Sequence, residues 1–132
     1  MSTQSTPLPA LPENFPDRPG TLAPWQLRRV IDYLECHLPQ RVELETLAAL
    51  INLSQAHFSR AFKASTGLAP YQWQLYARIR RAQAMLMHSE APLSEIAVAT
   101  GFADAVHFGR TFRKLSGLTP GIWRRRRPLT CA

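Results

Sequence analysis

Arg60 and Arg110 are the side chains whose type and placement first suggest chemistry, because they lie 50 positions apart in two copies of one segment. The copies read QAHFSRAFKASTGLAPYQW at residues 55–73 and AVHFGRTFRKLSGLTPGIW at residues 105–123. An arginine at the centre of an exposed helix face can place its guanidinium fork on O6 and N7 of guanine in the major groove of DNA. The repetition predicts that both copies present their arginine in the same way.

The repeat is dense enough to predict that one supersecondary unit occurs twice. Eight of the nineteen positions are identical at the fixed offset. The identical pairs are His57/His107, Phe58/Phe108, Arg60/Arg110, Phe62/Phe112, Gly67/Gly117, Leu68/Leu118, Pro70/Pro120 and Trp73/Trp123. The phenylalanines and tryptophans fall on apolar helix stripes, so we assign them to the core rather than to stacking on bases.

The segment before each copy has the pattern of a helix-turn-helix. Ala48 and Ala97 supply the small residue that two steeply crossing helices need where they touch. Four positions later, Asn52 and Gly101 suit the positive φ angle of a tight turn, because glycine adopts it freely and asparagine tolerates it. The second turn is predicted to be one residue longer than the first. The apolar residues that follow and are predicted to enter the core are Leu53 and Phe102.

Helical periodicity covers the chain after a Pro-rich start, and no stretch alternates like a strand. We therefore predict an all-α fold of two helix-turn-helix subdomains joined by a long central helix. Pro24 is predicted to begin the first helix and Pro39 to stop it. The other helices are predicted at about 43–51, 54–65, 70–88, 93–100 and 104–115, before a last turn with Ile122 and Trp123. The predicted divisions are a disordered tail (1–20), the first subdomain (21–68), the linker helix (69–89), the second subdomain (90–127) and a short tail (128–132).

The chain has a net charge of +7, and the positive charge is concentrated with the repeat. Residues 1–53 hold four basic and six acidic residues, a balance of −2, whereas residues 54–132 hold twelve basic and three acidic residues, a balance of +9. This distribution favours a polyanionic partner, usually nucleic acid and less often an anionic membrane surface, while a basic protein without such a partner stays open. Cys36 and Cys131 are far apart, and the sequence has neither a signal peptide nor an apolar run of membrane-spanning length. These features predict a reduced, cytoplasmic protein.

The helix positions on the side away from the inward phenylalanines are predicted to face outward. They are Gln55, Ala56, Ser59, Arg60 and Lys63 in the first copy, and Ala105, Val106, Gly109, Arg110 and Arg113 in the second. Lys63 and Arg113 lie one turn beyond the central arginine, where a cation can bind phosphate and position the protein. His57 and His107 lack a cysteine at ligand spacing, and we predict that they contact phosphate and hold no metal. Ser54, the predicted N-cap of its helix, completes the set of predicted phosphate contacts.

The sequence resembles the DNA-binding region of the AraC/XylS family of bacterial transcription regulators over about residues 22–125. Four segments carry the resemblance: LAPWQLRRVIDYLECHL, LETLAALINLSQAHFSRAFKASTGLAPYQW, ARIRRAQAMLMHS and PLSEIAVATGFADAVHFGRTFRKLSGLTPGIWRR. It implies two recognition helices that enter successive major grooves on one face of the DNA, about 34 Å apart. The family's base-reading positions correspond here to Gln55, Ala56, Ser59 and Arg60, and to Ala105, Val106, Gly109 and Arg110.

The second set of base-reading positions departs from a polar pattern. Ala105, Val106 and Gly109 cannot donate bidentate hydrogen bonds and can at most contact thymine methyl groups. Gly109 also weakens its helix by roughly 1 kcal/mol relative to alanine. We expect the first copy to carry most of the sequence specificity, and the DNA site not to be a palindrome.

Together these patterns predict a sequence-specific regulator of transcription, an activator that binds double-stranded promoter or operator DNA and recruits RNA polymerase. The resemblance is to stand-alone members such as MarA and SoxS, with a fragment of a longer regulator as the alternative. Binding as a monomer is expected, dimerisation is left open, and the expected location is the cytoplasm, at the nucleoid. No cofactor, metal, membrane contact or catalytic group is predicted. The alternative function is a non-specific nucleoid-binding or protein-interaction module, which the apolar second face favours.

Overall fold

The computed structural model of the chain describes residues 20–126. It contains seven helices and no strand there, so the all-α expectation is confirmed. The helices are α1 (Pro24–Cys36), α2 (Leu44–Leu50), α3 (Gln55–Thr66), α4 (Pro70–His88), α5 (Leu93–Ala99), α6 (Ala105–Ser116) and α7 (Pro120–Arg125). The predicted disorder of residues 1–19 and the predicted tail at 128–132 lie outside the described residues.

Helix α1 follows the predicted pattern at its start and ends earlier than predicted. Pro24 occupies the first turn, where its missing N–H leaves no hydrogen bond unmade. Gln26 reaches back to the chain before the helix, because its side-chain oxygen accepts a hydrogen bond from the backbone N–H of Ala23 at 2.9 Å. The helix ends at Cys36 rather than directly before Pro39, yet Leu38 remains buried beyond the helix end.

The described chain divides into two compact units, with the division between residues 75 and 76 inside α4. The first unit comprises α1, α2, α3 and the first turns of α4. Its core is made of apolar side chains that are nearly inaccessible to solvent, and half-buried side chains such as Trp73 pack against it. The buried members are Leu22, Leu27, Val30, Ile31, Leu34, Leu47, Ala48, Ile51, Phe58, Ala61 and Phe62. The predicted inward residues Leu44, Leu50 and Leu53 lie only half-buried at its edge.

The second unit, residues 76–126, has a series of aromatic rings in its core. Phe108 lies between Phe102 and Phe112, with ring centroids 5.4 and 5.7 Å away, and Phe112 lies 6.0 Å from the ring of Trp123. Tilted and edge-on pairs of this kind stabilise a core beyond the area that they bury. Trp123 is half-buried rather than fully enclosed. The four repeated phenylalanines are all at most 1% exposed, so their assignment to the core is confirmed.

The turn of each helix-turn-helix has the predicted backbone conformation. Asn52 has a φ of 59° and Gly101 has a φ of 93°. The next residue in each copy, Leu53 or Phe102, donates its backbone N–H to the carbonyl of the buried alanine five residues earlier, at 3.0 and 2.9 Å. These bonds tie the chain after each turn to the last turn of α2 or α5. The second turn, residues 100–104, is one residue longer than residues 51–54, as predicted.

Replacing Gly101 with alanine should lower the free energy of unfolding by about 1–2 kcal/mol, because an added Cβ is strained at positive φ. Equilibrium denaturation followed by circular dichroism measures the change. Gly121→Ala is the matched control, since this helical glycine has open space around an added Cβ. A Gly101→Ala protein as stable as the Gly121→Ala protein would contradict the assignment of strain to this turn.

Candidate nucleic-acid interface

Helices α3 and α6 begin and end with hydrogen bonds that fix their length. Ser54 Oγ accepts a hydrogen bond from the backbone N–H of His57 at 3.2 Å, and Asp104 accepts one from the N–H of His107 at 2.8 Å. Both side chains satisfy a donor that a helix start leaves unpaired. Both helices are therefore held at the end where base-reading side chains of a recognition helix lie.

The two helices also end alike, and the ends explain why the repeat keeps a hydroxyl and a glycine there. Gly67 and Gly117 adopt the left-handed conformation, with φ of 83° and 86°. Thr66 Oγ1 lies 3.0 Å from the carbonyl oxygen of Phe62, and Ser116 Oγ lies 2.6 Å from that of Phe112. The hydroxyl at this position donates to the helix it terminates, so Thr66 and Ser116 are equivalent in structure as well as in sequence.

Helix α3 buries one side and exposes the side that carries the predicted base-reading residues. Phe58, Ala61 and Phe62 are buried. Gln55, Ala56 and Arg60 are exposed, and Ser59 is partly exposed. Positions 56, 59, 60 and 63 share one face because they are three or four residues apart. The structure thus brings the predicted residues of the first copy together on one accessible surface.

Helix α6 has the same division between buried and exposed sides, with different chemistry on the exposed side. Ala105, Val106 and Arg110 are exposed, and Gly109 is partly exposed. Val106 is an apolar side chain that is 64% exposed on this side. Arg110 is the only polar side chain among the four predicted base readers of this helix.

The side chains predicted to bind phosphate are all accessible. They are Ser54, His57, Lys63, His107 and Arg113. His107 also has a packing role, because its ring lies edge-on to Phe102 with centroids 5.3 Å apart.

Asp104 is a residue of this surface that the sequence prediction did not include. It occupies the place of Ser54, and its carboxylate is exposed at the start of α6. A carboxylate stabilises a helix N-terminus through the helix dipole but repels a nearby phosphate. The signal was available in the sequence, since Asp104 is offset from Ser54 by the same 50 positions as the rest of the repeat.

Arg124 is the first of four consecutive arginines, and its side chain binds the protein's own backbone. It donates hydrogen bonds to the backbone carbonyl of Ser89 at 3.0 Å and to that of Leu86 at 3.4 Å. These carbonyls lie at and just past the end of α4, where a cation is favoured. Arg125 and Arg126 are exposed, and Arg127 lies outside the described residues.

Within residues 20–126 no group of three or more histidine, cysteine or acidic side chains is arranged to hold a metal ion. No helix of this range is long and apolar enough to cross a membrane.

Comparisons with known proteins agree with this geometry. The profile of a family described as a helix-turn-helix domain matches residues 47–126. The MmsAB operon regulatory protein of Pseudomonas aeruginosa is 39% identical over 116 residues, which are 88% of this chain and 37% of that protein. The chain therefore spans little more than a third of the length of this curated relative.

Solved structures of DNA-binding domains have the same fold. An AraC-type transcriptional regulator from Chromobacterium violaceum is similar with a TM-score of 0.75 and 25% identity, covering 80% of this chain and 94% of that one. The DNA-binding domain of AdpA, solved in complex with a target DNA, is similar with a TM-score of 0.69 and 34% identity, covering 76% of this chain and 90% of that one. The family profile matches more than half of this chain, and the chain has the fold of AraC-type DNA-binding domains. This chain therefore belongs to the AraC-type helix-turn-helix family, a family of transcriptional regulators and not of enzymes.

Proposed function

We propose that this chain is a sequence-specific double-stranded-DNA-binding regulator whose recognition helices are α3 and α6, each inserted into one of two successive major grooves. The observation that carries the proposal is the exposed side of each helix. Each exposes a central arginine, Arg60 or Arg110, opposite a pair of fully buried phenylalanines. Neither arginine forms a hydrogen bond or an ion pair within the described residues, so both guanidinium groups are available to guanine.

Phosphate contacts supply the affinity in this proposal. Ser54, His57 and Lys63 bind the backbone beside α3, and His107 and Arg113 bind it beside α6. The excess of positive charge in residues 54–132 supports this assignment, since cations that displace counterions from phosphates provide most of the sequence-independent binding energy.

The proposed mode of regulation is activation, by a chain bound as a monomer to promoter DNA in the cytoplasm, at the nucleoid, with RNA polymerase as its protein partner. This part of the proposal rests on the resemblance to stand-alone regulators. The proposed domain division is the one expected from sequence, with residues 21–68 and 90–127 as the two DNA-binding subdomains and residues 69–89 as the helix that links them.

The test is a comparison of affinities. Duplexes that the purified chain enriches from a random-sequence library are labelled, and their Kd is compared with that of scrambled duplexes by fluorescence anisotropy at physiological salt. We expect a ratio of about 10³ or more, as sequence-specific DNA-binding proteins show. Equal affinity for both duplexes would contradict the proposal and favour a non-specific nucleoid-binding module.

A further inference from the structure

We propose that α6 reads thymine through the methyl group at C5. Val106 contacts the methyl group, and Gly109 is the point where the helix backbone comes closest to the DNA. The inference rests on the proposed function, because it requires α6 to lie in a major groove. It goes beyond that function by naming a chemical feature of the bound DNA: a thymine near the guanine that Arg110 contacts.

The exposure of Val106 is the first observation. Its side chain is 64% exposed on the face that also carries Arg110, four residues and one helical turn away. A β-branched residue is less favourable in a helix than alanine, which occupies the equivalent position 56 of α3. Helix stability therefore does not account for valine at position 106, and its exposed side chain is accessible to an apolar group of a ligand.

Gly109 is the second observation, and it is independent of the first. A Cβ built on this residue meets nothing within 4 Å, so packing does not require the missing side chain. The backbone does not require glycine here either, because the residue lies inside α6 and its φ is not positive. A glycine in this position weakens the helix and leaves its surface open next to Val106 and Arg110. An open surface of this kind allows close approach by a ligand.

Thymine is the natural DNA base whose major-groove edge carries a methyl group, at C5 beside the O4 acceptor. Val106 and Arg110 are separated by about 6 Å along the helix axis at 1.5 Å per residue. Because bases stack about 3.4 Å apart along one strand, the two side chains reach bases at most about two positions apart. The proposed element of the second half-site is therefore a thymine within about two base pairs of a guanine.

The experiment removes the methyl group alone. In a duplex selected by the full chain, each thymine is replaced in turn by deoxyuridine, which has the same hydrogen-bonding groups without the methyl. The guanine that Arg110 contacts is located first. Replacing its base pair weakens binding of the wild-type protein but does not change the Kd of the Arg110→Ala protein. Within about two base pairs of that guanine, deoxyuridine should raise the Kd of the wild-type protein about fourfold, the effect of one buried methyl group.

Variants then assign the effect to a residue. Val106→Ala should bind the thymine duplex about fourfold more weakly and lose the penalty for deoxyuridine. Val98→Ala is the matched control, because Val98 is 66% exposed on α5 and should keep the full penalty. Gly109→Ala should raise the denaturation midpoint and weaken DNA binding, whereas Gly121→Ala should leave DNA binding unchanged.

The outcomes separate this inference from the proposed function. A protein that prefers its selected duplex and reads guanine through Arg110, yet tolerates deoxyuridine at every position, overturns methyl recognition alone. Persistence of the penalty in Val106→Ala overturns the assignment to this residue. Undiminished DNA binding by Gly109→Ala overturns the proposal that the helix backbone comes close to the DNA at Gly109. Equal affinity for selected and scrambled duplexes overturns the proposed function and this inference together.

Discussion

Truncation of Phe112 to alanine should lower the free energy of unfolding by about 3–5 kcal/mol, the usual cost of removing a large buried aromatic side chain. Its side chain is completely buried, and its ring contacts Phe108 and Trp123 at centroid distances of 5.7 and 6.0 Å. The loss is a large part of the 5–15 kcal/mol that stabilises a typical domain. Urea denaturation followed by circular dichroism and by tryptophan fluorescence measures it.

Two further variants test the equivalent ring of the first unit and provide a surface control. Phe62→Ala removes the equivalent ring from the first unit, where Phe62 is also completely buried, and should be destabilising by a similar amount. Val106→Ala is the control on α6, because its side chain is mostly exposed and surface substitutions usually change stability by less than about 0.5 kcal/mol. A Phe112→Ala protein within 1 kcal/mol of the Val106→Ala protein would contradict the central place of the ring in the core.

Local features of the fold could be predicted from sequence because each depends on a few neighbouring residues. The turn conformations at Asn52 and Gly101 follow from the steric freedom of those two residue types. The cap at Ser54 and the helix end at Gly67 follow from equally local rules. The buried phenylalanines follow from helical periodicity, which requires no knowledge of what they pack against.

Features that depend on distant residues could not be predicted in the same way. Arg124 binds backbone carbonyls 35 and 38 residues earlier in the chain, and no local pattern indicates this pairing. The buried side chain of Gln74 donates a hydrogen bond to the carbonyl of Gln40, 34 residues away, at 3.1 Å. The half-buried state of Trp73 and Trp123 likewise depends on how completely the surrounding helices cover them.

The two copies agree in their interiors and differ on their surfaces, and both the agreement and the difference have a physical cause. A close-packed core and a left-handed helix end accept few residue types, so phenylalanine and glycine recur. The exposed side is not constrained by packing, and there Ser59 is matched by Gly109 and Ala56 by Val106. The divergence therefore lies where packing does not dictate the residue. Under the proposed function, this divergence predicts two half-sites that differ in sequence.

Replacing Arg60 with alanine should remove about 1–3 kcal/mol of discrimination between the preferred base pair and its alternatives at one position of the first half-site. The guanidinium is exposed at the centre of the α3 surface. In the proposed complex, its loss removes two hydrogen bonds to guanine. The measurement is the Kd for a selected duplex and for its single-base variants, by fluorescence anisotropy at constant salt.

Lys63→Ala is the matched control for this prediction, since Lys63 is exposed on the same face one turn further along α3. Its loss should weaken binding to all duplexes alike and reduce the slope of log K against log salt concentration by about one unit, because one phosphate contact is removed. Arg110→Ala should affect a base pair of the second half-site and leave the Arg60 position unchanged. An unchanged base preference in Arg60→Ala would exclude this side chain from base reading. A uniform loss like that of Lys63→Ala would instead assign Arg60 to the phosphate backbone and leave sequence reading on α3 to Gln55 and Ser59.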